Sequence, residues 1–293
     1  MPAIALGSGN AENFANLTRR SKASRLLRPL SPIIRTYRSR LFVRTIIRAL
    51  QMGWRHIDYD PRYGSEPLFS RAIHHCGLQR SDLFLTVRAR HSALETGDAR
   101  ASLMSSLTTL RTDYIDLYFL PWPMRRYVEA FHSMLQLKAE GKIRALGLAN
   151  AHPQHVQYLY DKIGIWPDAV QIELHPLNTK KEILSYYRER NIAVQSYSPL
   201  AVHDFRLFGY DILRKISQRH GKTPEQIILK WHLQQGLCPV VRSHNIKHLQ
   251  DMLTLEDSPA LTPQEMDIID GFNIHSCYWY CPDNHPDTRE YDY

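Results

Sequence analysis

The stretch TDYIDLYFLPWP, residues 112–123, decides how the chain is read. Ile115, Leu117, Tyr118, Phe119 and Leu120 are strand formers in a dense apolar run, as in a strand buried on both faces. Pro121, Trp122 and Pro123 then end it, because proline cannot donate to a sheet ladder. Buried strands of this kind belong to parallel sheets, and the C-terminal ends of such strands are where α/β proteins keep their chemistry.

Working outward from this strand, the same unit repeats. Short apolar segments predict strands at 3–7, 55–58, 83–88, 114–120, 144–148, 169–173, 192–197 and 238–242. Amphipathic stretches predict helices at 43–53, 65–75, 98–110, 125–140, 153–163, 179–190, 222–236 and 261–270. Thr223 reads as an N-cap with Pro224 at the first helical position. Eight strands alternating with helices predict a (β/α)8 TIM barrel, one domain over 1–293. A doubly wound open sheet is the competing architecture, but GSG at 7–9 is not the Gly-rich dinucleotide turn.

Composition narrows the function classes. The 293 residues are 43% hydrophobic, without an apolar run long enough to span a membrane and without a secretory leader pattern at the start. Cys76, Cys238, Cys277 and Cys281 are few for this length and predict free thiols in a reducing, cytoplasmic setting. His91, His152 and His155 form no metal-ligand spacing, so no metal site is expected. The net charge of +8 is local: between Glu12 and Asp58 there are eleven Lys and Arg and no acid, which leaves the rest of the chain at −3. Residues 9–41 therefore read as a basic, solvated insertion after the first strand. With few aromatics in it, this segment argues against nucleic-acid binding.

Listing the strand ends brings Asp58, Arg88, Pro121, Asn150, Gln171, Tyr197 and Arg242 to one mouth, with Tyr63 five residues beyond Asp58. These residues carry a resemblance. GWRHIDYDPRYGSE (53–66) resembles the signature of the aldo-keto reductases. DLFLTVRAR, TDYIDLYFLPWP, EGKIRALGLAN, QIELHP, QSYSPLA, GKTPEQIILKWHLQQG and VVRSHNIKHL follow in the family's order and spacing. The resemblance implies a (β/α)8 barrel and NADP(H)-dependent reduction of a small-molecule carbonyl. The opening MPAIALGSGN resembles the fungal branch, which implies a place in specialised (secondary) metabolism.

The resemblance maps a catalytic Asp onto Asp58 and a catalytic Tyr onto Tyr63. The family's Lys position is Arg88, and its His position is Pro121. A free tyrosine, with a pKa of about 10, is an adequate acid for a developing alkoxide. Arg88 supplies positive charge beside it but cannot give up a proton. Pro121 offers no side-chain donor, a loss worth about 10² to 10³ in rate. On the cofactor side the resemblance implies Tyr197 stacking on a nicotinamide and Asn150 and Gln171 holding its carboxamide, with Ala149 in place of a Ser. It places Ser198 and Leu200 at the pyrophosphate, and Arg242, Ser243, Asn245 and His248 at the adenosine end. The cations there favour NADP(H) over NAD(H). His175 is implied to be structural. Three readings stay open: a weakened reductase, a non-redox pseudoenzyme or cofactor-binding subunit, and an enzyme of altered reaction. The expected partner is a small molecule, with neither nucleic acid nor membrane, and a monomer is expected.

Overall fold

The structure, a computed structural model, describes residues 1–7 and 31–279, the backbone alone for 31–35. The sequence-read insertion over 9–30, and Cys281, lie outside the described residues.

Strands β1 (Ala5–Gly7), β2 (His56–Tyr59), β3 (Phe84–Arg88), β4 (Ile115–Leu120), β5 (Ile143–Ala149), β6 (Ala169–Glu173), β7 (Ala193–Tyr197) and β8 (Cys238–Val241) form a closed barrel in sequence order. Every pairing is parallel, and β8 closes on β1 through Ala5 opposite Val240. The chain is thus the (β/α)8 barrel that the alternation of strands and helices predicts. Its helices are α1 (Ser31–Met52), α2 (Glu66–His75), α3 (Ser92–Thr96), α4 (Arg100–Leu110), α5 (Tyr127–Ala139) and α6 (Pro153–Ile163), then α7 (Lys181–Glu189), α8 (Phe205–Phe208), α9 (Asp211–His220), α10 (Pro224–Gln234), α11 (Ile246–Leu253) and α12 (Pro263–Asp270). Among the described residues no helix is long and apolar enough to cross a membrane.

One boundary needs correction. Sequence reading ended the basic insertion at residue 41, yet α1 begins at Ser31. Its buried residues Phe42, Val43, Ile46, Ala49 and Leu50 make a helical stripe against the barrel. Arg40, Arg44 and Arg48 fall on the exposed face. The acid-free segment that reads as a loop is, over 31–41, the start of the first barrel helix, with Arg40 on its solvent side. The Trp54 indole then donates to the Leu249 carbonyl at 3.1 Å, tying the end of α1 to α11. Helix α9 was unread for a related reason. DILRKISQRH is mostly polar, and only Leu213, Ile216 and Ser217 are buried.

Period-two alternation sorts the strand side chains. Ile57, Tyr59, Leu85, Val87, Tyr118 and Leu120 join the core between sheet and helices. Leu117, Phe119, Ala149 and Ala169 form a separate small cluster. There Gly147 sits opposite Phe119, and a Cβ on it would collide with the Phe119 ring. We therefore expect Gly147→Ala to overpack this cluster and cost roughly 1–3 kcal/mol, read from urea unfolding at constant m-value.

His56 and His232 are buried in neutral form. His56 lies 2.8 Å from Thr86 Oγ1 and His232 lies 3.0 Å from Ser196 Oγ. Burial lowers their pKa to about 4 and about 3, against weaker opposing effects from Asp58 and from the Pro199 carbonyl. The unfolded chain binds these protons near the ordinary histidine value of about 6.5, so the folded state loses stability as pH falls below it. From pH 6.5 to 5 we expect the unfolding free energy to drop by on the order of 1 kcal/mol per pH unit per histidine. Chemical denaturation of wild type beside His56→Gln measures the slope, which the variant should roughly halve.

Candidate active site

Asp58 and Arg88 stand near the C-terminal ends of adjacent strands β2 and β3. Arg88 Nη1 donates to Asp58 Oδ1 at 2.8 Å, and Nη2 to Oδ2 at 3.3 Å, a two-pronged pair. Nη2 also donates to Gln171 Oε1 on β6, across the barrel. Gln171 Nε2 donates on to Asp58 Oδ2 at 2.8 Å and to Gln195 Oε1 at 2.7 Å. Both charged partners are buried. Burial works against the Arg88 charge, but Asp58 and Asp60 more than offset it and raise its pKa above the ordinary value.

Tyr63 ends a one-turn 3₁₀ segment, Pro61–Tyr63, which Asp60 caps by accepting from the Arg62 N–H. The buried Asp60 carboxylate also pairs with the Arg62 guanidinium at 2.6 Å and lies 4.0 Å from Arg88. Burial pushes its pKa up, yet the two arginines bring it below the usual value. This capped turn holds Tyr63 at the mouth, 42% exposed, within electrostatic reach of Arg88 and Arg62. Asp60 escaped the sequence reading, although its place two residues after Asp58 at a strand end was the signal.

Asn150 follows β5 with a left-handed backbone, φ 55°. Its amide donates to the Pro121 carbonyl at 2.9 Å and accepts from the Tyr197 hydroxyl at 2.8 Å. Pro121 thus meets the site through its backbone oxygen. Ser198 and the run Ala201, Val202 and His203 are also left-handed, with φ from 50° to 58°. Such angles are costly for non-glycine residues and cluster at functional sites. Leu200 precedes the turn at Ala201–His203.

The four residues assigned to the adenosine end fall together. Arg242 follows β8, Ser243 accepts from the Asn245 N–H at 3.1 Å, and Asn245 caps α11 by accepting from Lys247 N at 3.0 Å. Arg242, Lys247 and His248 are exposed there. A helix N-terminus with cations around it suits a phosphate. Lys247 was not picked out from sequence, where its side of the helix could not be judged.

Further residues at the mouth were also unread. Lys180 Nζ lies 3.2 Å from His152 Nε2. Glu173 ends β6 as a buried carboxylate, and His175 sits 3.2 Å from it. Lys180, His152 and Glu173 line a cleft with Asn150, Tyr197 and Cys277. No sequence pattern announced that Cys277, more than a hundred positions away from Glu173, returns to this place.

A site gathered on the C-terminal strand ends of a closed parallel barrel is the arrangement on which (β/α)8 enzymes build their chemistry. The Aldo/keto reductase family model matches residues 39–274, and the chain belongs to this family of oxidoreductases. It is 36% identical over 201 residues to methylglyoxal reductase DkgA of Yersinia pestis, covering 68% of this chain and 72% of the relative. An aldo-keto reductase of Mycobacterium marinum (strain ATCC BAA-535 / M) is 34% identical over 233 residues, covering 78% and 82%. The crystal structure of an aldo/keto reductase from Brucella melitensis superposes with a TM-score of 0.77 at 27% identity, over 93% of this chain and 95% of that one.

The Arg88–Asp58 pair makes a stability prediction. Arg88→Met leaves a buried carboxylate without its cation, and should cost about 3–5 kcal/mol. Asp58→Asn in the same background should recover part of that, a non-additivity visible in a double-mutant denaturation cycle.

Proposed function

We propose that the chain is an NADP(H)-dependent reductase of a small-molecule carbonyl, with slowed chemistry. The observation that carries this reading is the buried Arg88–Asp58 pair beside Tyr63, on the same mouth as the Tyr197–Asn150 pair. The residues suit the dinucleotide. Arg242, Ser243, Asn245, Lys247 and His248 would take the adenosine phosphate, Ser198 and Leu200 the pyrophosphate, and Tyr197 the nicotinamide face. When bound, the reduced cofactor supplies a hydride to the carbonyl carbon. Tyr63 gives its hydroxyl proton to the carbonyl oxygen, and the Arg88 charge stabilises the phenolate this leaves. Asp58 keeps Arg88 in place and has no direct part in the proton transfer. A proton from water returns Tyr63 to its starting state.

Two departures from the family pattern slow this chemistry. Pro121 brings no donor to the carbonyl oxygen. Arg88 holds the Gln171 amide oxygen, so a carboxamide must compete with a guanidinium for it. These same observations favour a second reading, a barrel that binds the cofactor without turnover. The membership in specialised metabolism that the opening residues suggest belongs to the proposal as well.

Fluorescence titration with NADPH and NADH tests the first step. Saturable NADPH binding, weaker for NADH and lost in Tyr197→Ala, is expected; no binding at millimolar NADPH overturns the reading. A carbonyl screen then separates the two readings. Tyr63→Phe should abolish turnover, and Pro121→His should raise kcat by about 10², the worth of one oxyanion donor. Binding without turnover in both wild type and Pro121→His selects the non-redox reading.

A further inference from the structure

The last described residues, 274–279, run as a strap along the segments that follow β6 and β7 at the barrel mouth. The Ile274 and Ser276 N–H groups both donate to the Leu177 carbonyl, at 3.2 and 3.0 Å. Next, the buried Glu173 carboxylate accepts three donors from the strap: Tyr278 N at 2.8 Å, Trp279 N at 3.1 Å and the Cys277 thiol at 3.0 Å. The Tyr278 hydroxyl donates to Asp204 at 2.5 Å, and Arg206 reaches Ser276 Oγ at 3.1 Å. Finally the Trp279 indole donates to Ser198 Oγ at 3.1 Å.

The anchors beyond Leu177 lie beside the proposed cofactor groove. Ser198 follows Tyr197 directly. Asp204 and Arg206 follow the left-handed run 201–203. Cys277 shares the wall of the cleft with Tyr197 and Asn150. Glu173 has no open lone pair facing the mouth once His175 and the strap are counted. Burial pushes its pKa up, but these donors outweigh it and hold the carboxylate in its charged form.

We infer that the strap Ile274–Trp279 is an internal competitor of the cofactor: it occupies Ser198 and narrows the nicotinamide end of the groove, so that NADPH enters only when the strap lets go. The inference rests on the proposed NADP(H) site. Its energetic form is a binding-competent fraction. The intrinsic dissociation constant is divided by the share of molecules with the strap released, and removing the strap restores the intrinsic affinity. The anchors are a few hydrogen bonds outside the strand ladders of the barrel, so release is local and leaves the barrel intact.

Stopped-flow NADPH binding decides this, using the full chain, a truncation after Asn273 and a truncation after Trp279. The shorter truncation should bind at least tenfold faster and tighter than the full chain. The longer one, which keeps the strap and removes only residues 280–293, should match the full chain. Full-length Tyr278→Phe/Trp279→Ala, which leaves the chain length unchanged, should share the faster binding. Saturating NADPH should also speed hydrogen exchange at the Tyr278 and Trp279 amides of the wild type. Equal binding by all forms, with those amides protected in the NADPH complex, overturns the strap and leaves the reductase reading standing. No NADPH binding by any form overturns both.

Discussion

The mouth of this barrel is organised by one ion pair. Arg88 and Asp58 neutralise each other in a place where either alone would be costly to bury. The consequence spreads beyond the two residues. The guanidinium fork has donors to spare, and the spare one crosses to Gln171, which passes hydrogen bonds to Asp58 and Gln195. Gln195 lies 3.3 Å from His56, and His56 meets Thr86. Residues from β2, β3, β6 and β7 are therefore joined through the lumen by polar contacts. An ammonium in place of Arg88, a compact point charge, has no such planar reach. Here a residue that the family pattern associates with chemistry has also become a structural strut.

Around that strut the mouth is divided into two sides. On one, the capped turn Pro61–Tyr63 carries the phenol beside the buried positive charge. On the other, Asn150 is clamped between the Pro121 carbonyl and the Tyr197 hydroxyl. The helix-terminus cluster after β8 lies beyond. Several of these groups already have protein partners. A ligand entering here would exchange hydrogen bonds with these partners, for a net gain smaller than the number of polar groups suggests.

The barrel itself was legible in the sequence because burial on both strand faces leaves dense apolar runs such as 114–120, and Gly or Pro mark the helix ends. The predicted strand spans 169–173 and the helix 153–163 coincide with those observed. Reading was weaker where a helix is mostly solvated. The start of α1 was hidden behind arginines, and α9 behind a nearly continuous polar surface. At the site, Asp58, Arg88, Asn150, Gln171 and Tyr197 converge because strand ends can be listed from sequence alone. That Arg88 engages Gln171, that Lys180 meets His152, and that Trp279 returns to Ser198 could not be read. Those contacts depend on side-chain reach and on chain closure over long separations, neither of which leaves a local pattern.

Arginine at position 88 has one more consequence, for how the charge of the mouth responds to alkali. A lysine there carries a titratable proton, and its loss at high pH removes positive charge from the mouth. The Arg88 guanidinium keeps its charge throughout the working range, the more so for its raised pKa. The positive charge beside the turn Pro61–Tyr63 is therefore fixed against alkali, and the buried Asp58 and Asp60 carboxylates keep their cation where a lysine's partners would lose it.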